Sequence, residues 1–484
     1  MTTANLGDDM TLRAPLNRRE FLAAAAALPL IGTWPSAHAA VSAHVLRAAP
    51  GRQQLVPESY PDSEIWSFNG TTPGPGLRAR QGDTLRVTVK NALPQPTTVH
   101  WHGIRLPNAM DGVPHLTQPP IAPGGEFQYE FALPDAGTYW YHPHERSLEQ
   151  VARGLYGALI VEERDPLPVD RDVTWVLSDW RLNKDATPVH DYDSNMFDLT
   201  HAGRIGNTVT VNGRFTPVGG EFAVRAGERI RLRLINAASA RIFRLKFDGH
   251  APQVIALDGH PVAPHAAAGG VVLGPGMRAD LVIDCMRRPG ERFVVADTFY
   301  PRELQVMELV YRNEAPLRTK PLDAPIVLPP NPLAEPDVAR AQRHEIRFEG
   351  GAMGSLREAE FNGVRQGIQQ LVREHGVAWT INGVARTGHV HEPMLTLKRN
   401  GHYVFAMHND TAWHHPIHIH GIAFRIISRN GKPTQYREWA DTALLAPRER
   451  VEIAFVADNP GDWMFHCHIL SHQQGGMMTA VRIQ

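Results

Sequence analysis

The sequence predicts an all-β protein built from three β-sandwich domains, and three observations carry that expectation. Glycine and proline are plentiful, 41 and 39 among 484 residues, and long apolar helical repeats are scarce; many short strands divided by turns have that composition. Several stretches alternate residue by residue, among them Thr84–Val89, Arg229–Leu234 and His402–Met407, as half-buried antiparallel strands do. Those three stretches also sit at matching places in an internal repeat.

The repeat is marked by Asn69-Gly70, Asn212-Gly213 and Asn382-Gly383. Each leads to a glycine (Gly82, Gly227, Gly401), an alternating strand and a second asparagine (Asn91, Asn236, Asn409). Nine residues after the second asparagine lie His100, Leu245 and His418, and eleven after lie His102, Phe247 and His420. Further on, Gly137, Gly290 and Gly461 each precede by five residues His142, Val295 and His466. The first and third modules therefore carry histidines where the middle one is apolar. A centre shared by modules one and three is expected, with the middle module as a structural spacer.

The domains are expected at about 43–165, 166–318 and 340–484. Pro316 to Pro336 is proline-rich and aperiodic, the character of a linker. Two stretches break the β pattern: Ser355–Glu360 and Gln366–Glu374 read as helices, the second with Ile368, Leu371 and Val372 at helical spacing.

Residues 1–39 read as an export signal. Asn17-Arg18-Arg19-Glu20-Phe21-Leu22 precedes an apolar run from Ala23 to Ile31, and Ala37-His38-Ala39 offers a small-x-small cleavage site. The twin arginines resemble a Tat signal, which engages the Tat machinery and exports folded protein; the destination expected is the periplasm. The run is too short for a permanent membrane span. The formal net charge of −1 with no basic stripe argues against nucleic acid. The two cysteines are Cys285, in an apolar run, and Cys467, among histidines; no disulfide is expected.

The chemistry is concentrated in His466-Cys467-His468-Ile469-Leu470-Ser471-His472, followed by Met477. On a strand Cys467 points opposite to His466 and His468. Cys467, His472 and Met477 supply most of a His2Cys-plus-Met set, the donors of a blue copper site. In His415-Pro416-Ile417-His418-Ile419-His420-Gly421 the same parity puts His415 on one face and His418 with His420 on the other, so His415 completes that set. His100-Trp101-His102-Gly103 and His142-Pro143-His144 add two pairs. One His-x-His pair on a strand is ordinary. Four pairs give eight imidazoles, too many for one metal, and divided among three coppers they leave two or three each.

Those four motifs, in that order, resemble the copper signatures of the multicopper oxidases, across nearly the whole mature chain. The resemblance implies Greek-key sandwiches of the cupredoxin type and about four coppers. It implies a type 1 site of His415, Cys467, His472 and axial Met477. It implies a type 2 copper on His100 and His418. One type 3 copper falls to His102, His142 and His468, the other to His144, His420 and His466. Catalysis implied is entry of one electron at a time from a small-molecule reductant or Cu(I), transfer through Cys467 to His466 and His468, and reduction of O2 to water. Asp111 stands where the family often has an acid near the type 2 copper, and is the proton-relay candidate. Gln473 occupies a place where many bacterial relatives carry a glutamate. Bacterial relatives also lay an insertion over the blue copper near the 350–378 stretch, which is expected to be a lid or substrate wall.

For substrate, the expectation is laccase-like oxidation of phenols or aromatic amines by a monomer. The Met clusters of cuprous oxidases are missing, although Met353, Asp410 and His414 remain as contacts for a copper-tolerance role. Trp413, two before His415, is expected to share its face and offer a stacking surface. Three rivals are a copper-free scaffold, a simple blue electron carrier and a nitrite reductase. The complete ligand set argues against the first, the eight-histidine set against the second, and the His-Cys-His coupling against the third.

Overall fold

The computed structural model describes residues 40–216, 220–323, 325–388, 390 and 392–484; the export-signal reading lies outside them. Val41–Gln484 forms one compact unit, and among the described residues no helix is long and apolar enough to cross a membrane.

Six sheets fall into three successive pairs. Four-stranded sheets Ser63–Phe68/Val41–Gln53/Thr84–Asn91/Glu126–Ala132 and Leu77–Arg80/Gly157–Glu162/Gly137–His142/His100–His102 make the first. Seven- and five-stranded sheets between Arg171 and Tyr311 make the second, and ten- and five-stranded sheets between Gln342 and Ile483 the third. One buried cluster holds Leu46, Leu85 and Phe131 from one sheet of the first pair and Leu77, Tyr141 and Leu159 from the other. The core thus lies between the sheets, as in a β-sandwich.

Each module opens with the same parallel pairing: Val41–Gln53 beside Thr84–Asn91, Arg171–Trp180 beside Glu228–Asn236, and Gln342–Gly350 beside His402–Asn409. The asparagines of the repeat explain why. Asn69, Asn212 and Asn382 have φ of 56°, 51° and 52°, and the glycines after them 87°, 70° and 74°. Two successive positive φ values make the primed turn for which Asn-Gly is suited. Each asparagine side chain accepts from a backbone N–H of its module's first strand, at Arg47, Val176 and Arg347. The second asparagines do more. The amides of Asn91, Asn236 and Asn409 each donate to two backbone carbonyls and accept the N–H two residues on. All three are buried, so they tie off the following turns from inside the fold, each with its own polar atoms satisfied.

The structure corrects three readings. Glu358–Phe361 is a strand, in a hairpin with Val364–Gly367, where Ser355–Glu360 read as helix. Ala359 and Phe361 are buried between exposed neighbours, a period of two. The second helix does form, as Ile368–His375 with Leu371 buried. The strand Glu228–Asn236 is buried throughout rather than on one face. Its arginines meet acids: Arg231 bonds Asp280 and Glu163, and Arg233 bonds Asp172 and Thr138. In the middle module, Leu245 lies opposite Asp297 and Phe247 opposite Val295, whereas His100 faces His142 and His418 faces His466. The middle ladder is therefore shifted by two, and one of its histidine-equivalent places holds a buried carboxylate.

Candidate metal centre

Two ladder rungs are histidine against histidine, His100 with His142 and His418 with His466. His102 and His420 stand two residues along. His144 and His468 lie just past the ends of strands Gly137–His142 and Gly461–Cys467. The modules then meet ring to ring. His100 stacks on His420 at 3.9 Å and His102 on His418 at 3.9 Å, so each pair of module one lies across its counterpart in module three. All eight rings are buried.

One nitrogen of most rings is anchored by the protein. Nδ1 of His100 bonds the Asp111 carbonyl (2.9 Å), His142 that of Pro143 (3.0 Å), His418 that of Asp441 (2.8 Å) and His466 that of Cys467 (2.9 Å). His420 Nδ1 meets Asp111 Oδ2 at 2.9 Å. His102 is reversed: its Nε2 meets Asp441 Oδ1 at 3.1 Å. The opposite nitrogens of His100, His102, His142 and His418, Nε2 of His144 and both nitrogens of His468 are buried without a hydrogen-bond partner. His420 and His466 turn Nε2 on each other at 3.1 Å. Burial, with repulsion among neighbouring rings, holds His102, His142, His144, His420, His466 and His468 well below their ordinary pKa. Neutral imidazoles with orphaned lone pairs gathered at one place are costly in a protein interior and fit for metal ions. Donor atoms of His144, His420 and His466 lie within 4.8 Å of one another, as do those of His100, His418 and His420 and those of His100, His102 and His142.

Cys467 points the other way. Its Sγ lies 3.5 Å from His415 Nδ1 and 3.7 Å from His472 Nδ1, and those two nitrogens are 3.1 Å apart. The far nitrogens are taken: His415 Nε2 bonds Thr411 Oγ1 (2.8 Å) and His472 Nε2 donates to the His201 carbonyl (2.7 Å). Both Nδ1 lone pairs thus face the sulfur. Burial pushes the thiol well above its usual pKa, so a thiolate forms there with a cation to balance it. Met477 is buried beside them and its carbonyl accepts the Cys467 N–H.

Three features escaped sequence reading. Asp441, in no recognisable motif, holds His102 and His418. It is clamped by Arg278 at 2.8 and 2.6 Å. Burial raises a carboxyl, but the Arg278 guanidinium and His102 prevail and hold Asp441 well below the usual range; Asp258 behind it is raised to about 7 by burial and by the Asp441 charge. Trp379, not Trp413, is the indole on the rings beside Cys467, 4.3 Å from His472 and 5.1 Å from His415. Trp413 turns instead to His201, at 5.2 Å. And the middle module is more than a spacer, since it supplies Arg278, Asp258 and the His201 carbonyl.

Models of the multicopper oxidase family match residues 51–166, 171–314 and 365–484. A solved multicopper oxidase from Pseudomonas thermotolerans superposes with a TM-score of 0.80 at 35% identity, over 92% of this chain and 100% of that one. A copper resistance protein A homolog of Pseudomonas syringae pv. tomato is 26% identical over 533 residues, 86% of this chain and 89% of the relative. Laccase-2 of Fomitopsis schrenkii is 29% identical over 470 residues, 86% and 85%. The chain belongs to the multicopper oxidase family. It is a copper-binding oxidoreductase that uses O2 as acceptor.

Proposed function

We propose that this oxidase is laccase-like, taking electrons from phenols or aromatic amines at a ledge above His472. The surface around His201 carries the reading. The His201 ring stacks on Phe197 at 4.0 Å and meets Trp413 edge-on, and Phe197 is 67% exposed. A solvent-facing aromatic ledge thus stands one hydrogen bond from a ring that faces Cys467. A planar aromatic reductant can lie against Phe197 and deliver its electron through the His201 peptide.

Type 1 copper is assigned to His415, Cys467, His472 and Met477, type 2 to His100 and His418, and the type 3 pair to His102, His142 and His468 and to His144, His420 and His466. Bound copper supplies one-electron acceptance at the first set and O2 reduction at the others. Cys467 joins the sets through its own backbone and through its carbonyl, which accepts from His466 Nδ1. Asp111, whose carboxylate accepts from His420 Nδ1 and lies 3.2 Å from His100 Nδ1, is the proton-relay residue of this reading. Gln473 lines a cavity of about 290 Å³ that reaches His144, a path for O2 and water along which this amide cannot donate an acid proton. The domain limits 43–165, 166–318 and 340–484, the Tat signal and a periplasmic location complete the reading.

A second reading, oxidation of Cu(I), is favoured by two exposed thioethers near the ledge. Met196 is 41% and Met353 71% exposed, and the Ala352 N–H bonds the Thr200 carbonyl. Steady-state O2 uptake with a phenolic reductant and with Cu(I) decides between them. The laccase reading expects higher kcat/KM for the phenol and a several-fold rise in phenol KM in Phe197→Ala. Preference for Cu(I), unaffected by that change, overturns it.

A further inference from the structure

We propose that Arg278, from the middle module, is a positioning residue for the histidine cluster, setting His102 and His418 through Asp441. Arg278 is wholly buried, and its guanidinium makes four hydrogen bonds. Nη1 and Nη2 make the two-pronged bond to Asp441, Nη1 also donates to the Gly276 carbonyl (3.0 Å), and Nε to the Thr138 carbonyl (3.1 Å). One side chain of module two thereby touches modules one and three together.

What it holds is specific. Asp441 Oδ1 meets His102 Nε2, and the Asp441 carbonyl accepts from His418 Nδ1. Thr442 Oγ1 stands 3.1 Å from His418 Nδ1 and 3.3 Å from His102 Nε2. Asp258 accepts the backbone N–H groups of Asp441 (3.3 Å) and Thr442 (3.1 Å). The carboxylate of Asp441 keeps the Nε2 proton on His102, so Nδ1 is the nitrogen left toward the cluster. Among the described rings of the eight-histidine cluster that the protein anchors, His102 alone is held at Nε2 rather than Nδ1, and it is the ring this clamp serves. Backbone space has been cleared for it. A Cβ on Gly103, the residue after His102, would lie 2.3 Å from Arg278 Nη2 and 2.6 Å from Asp441 Oδ2. On Gly276 it would lie 2.8 Å from His468 Cδ2 and 3.0 Å from His102 Cε1. The copper-free module therefore forms a wall of the cluster.

The test compares Arg278→Lys and the double change Arg278→Met/Asp441→Asn with the wild type. Lysine keeps the charge but not the fork, and the double change, for use if lysine fails to fold, removes both charges of the Arg278–Asp441 pair at once so that neither is left without the other. Copper per chain, chelator competition for the eight-histidine coppers, the type 1 and type 2 electron-spin signals, and the unfolding temperature of copper-free protein are measured. Loss of such an outer ligand partner typically weakens metal binding by roughly 10- to 100-fold. The expected result is that loss for the cluster coppers, with an altered type 2 signal and an unaltered type 1 signal. Native type 2 signal and native retention of cluster copper in both variants overturns the proposal. So does equal weakening of type 1 and cluster copper in step with the unfolding temperature, which would leave Arg278 only a fastener between modules.

Discussion

At Cys467 one side chain separates two chemistries, its sulfur facing His415 and His472 and its carbonyl facing His466. Cys467→Ser is expected to lose the blue colour, one copper per chain and oxidation of organic reductants, while the histidine-cluster coppers stay bound. Metal analysis alongside turnover checks this; cluster copper lost in parallel contradicts it. His472 carries a pH prediction. Burial pushes its pKa down from 6.5 to about 3. The unfolded chain therefore takes up a proton that the folded copper-free chain refuses, and stability falls as pH drops from about 6.5 toward 3. Denaturant titrations of copper-free protein should show a loss on the order of a few kcal/mol from this residue. The two groupings of side chains were legible because strand parity is a local rule: it separated Cys467 from His466 and His468, and His415 from His418 and His420. Asp441 was not, because nothing beside it in sequence marks it; its partner Arg278 is 163 residues away.

At the level of elements the Asn-Gly repeat was readable, since a primed turn requires those residues wherever it occurs. The strand Glu358–Phe361 was misread because glutamate and alanine favour helix in isolation, while the alternation that decided its fate needed a core beneath Ala359 and Phe361. The arginine-bearing strand Glu228–Asn236 shows the same limit, since Asp280 and Glu163 turn a solvent-like face into an interior one. The repeat also yields a prediction. The Asn236 side chain makes three hydrogen bonds in the middle module, which carries Leu245, Phe247 and Val295 where the others have histidines, so Asn236→Ala should cost roughly 2–4 kcal/mol through groups left unsatisfied. Copper content at saturation should not change. A shift of the denaturation midpoint with full loading agrees with this; copper loss without destabilisation does not.

Across the whole molecule, a centre shared by modules one and three was legible from the repeat, but the share taken by module two was not, because it is made by contacts that span the chain. With the proposed donors drawn from both ends of one compact unit, bound copper would be a cross-brace. Chelation should lower the unfolding temperature measured by calorimetry, and each site contributes about 2.7 kcal/mol when free copper stands a hundredfold above its Kd. An unfolding temperature indifferent to copper would contradict this. The bond from His472 Nε2 to the His201 carbonyl reaches further still. That proton is held by a peptide oxygen rather than by a titrating acid, and a peptide oxygen has no acidity near neutrality. Were a copper bound at the opposite nitrogen to change charge, the imidazole would have no acid or base beside Nε2 to which it could send its proton. Electron arrival is thereby uncoupled from proton movement, and the reduction potential of the blue site should stay flat from mildly acid to mildly alkaline solution. All the protons that O2 requires must then enter on the histidine-cluster side of the molecule.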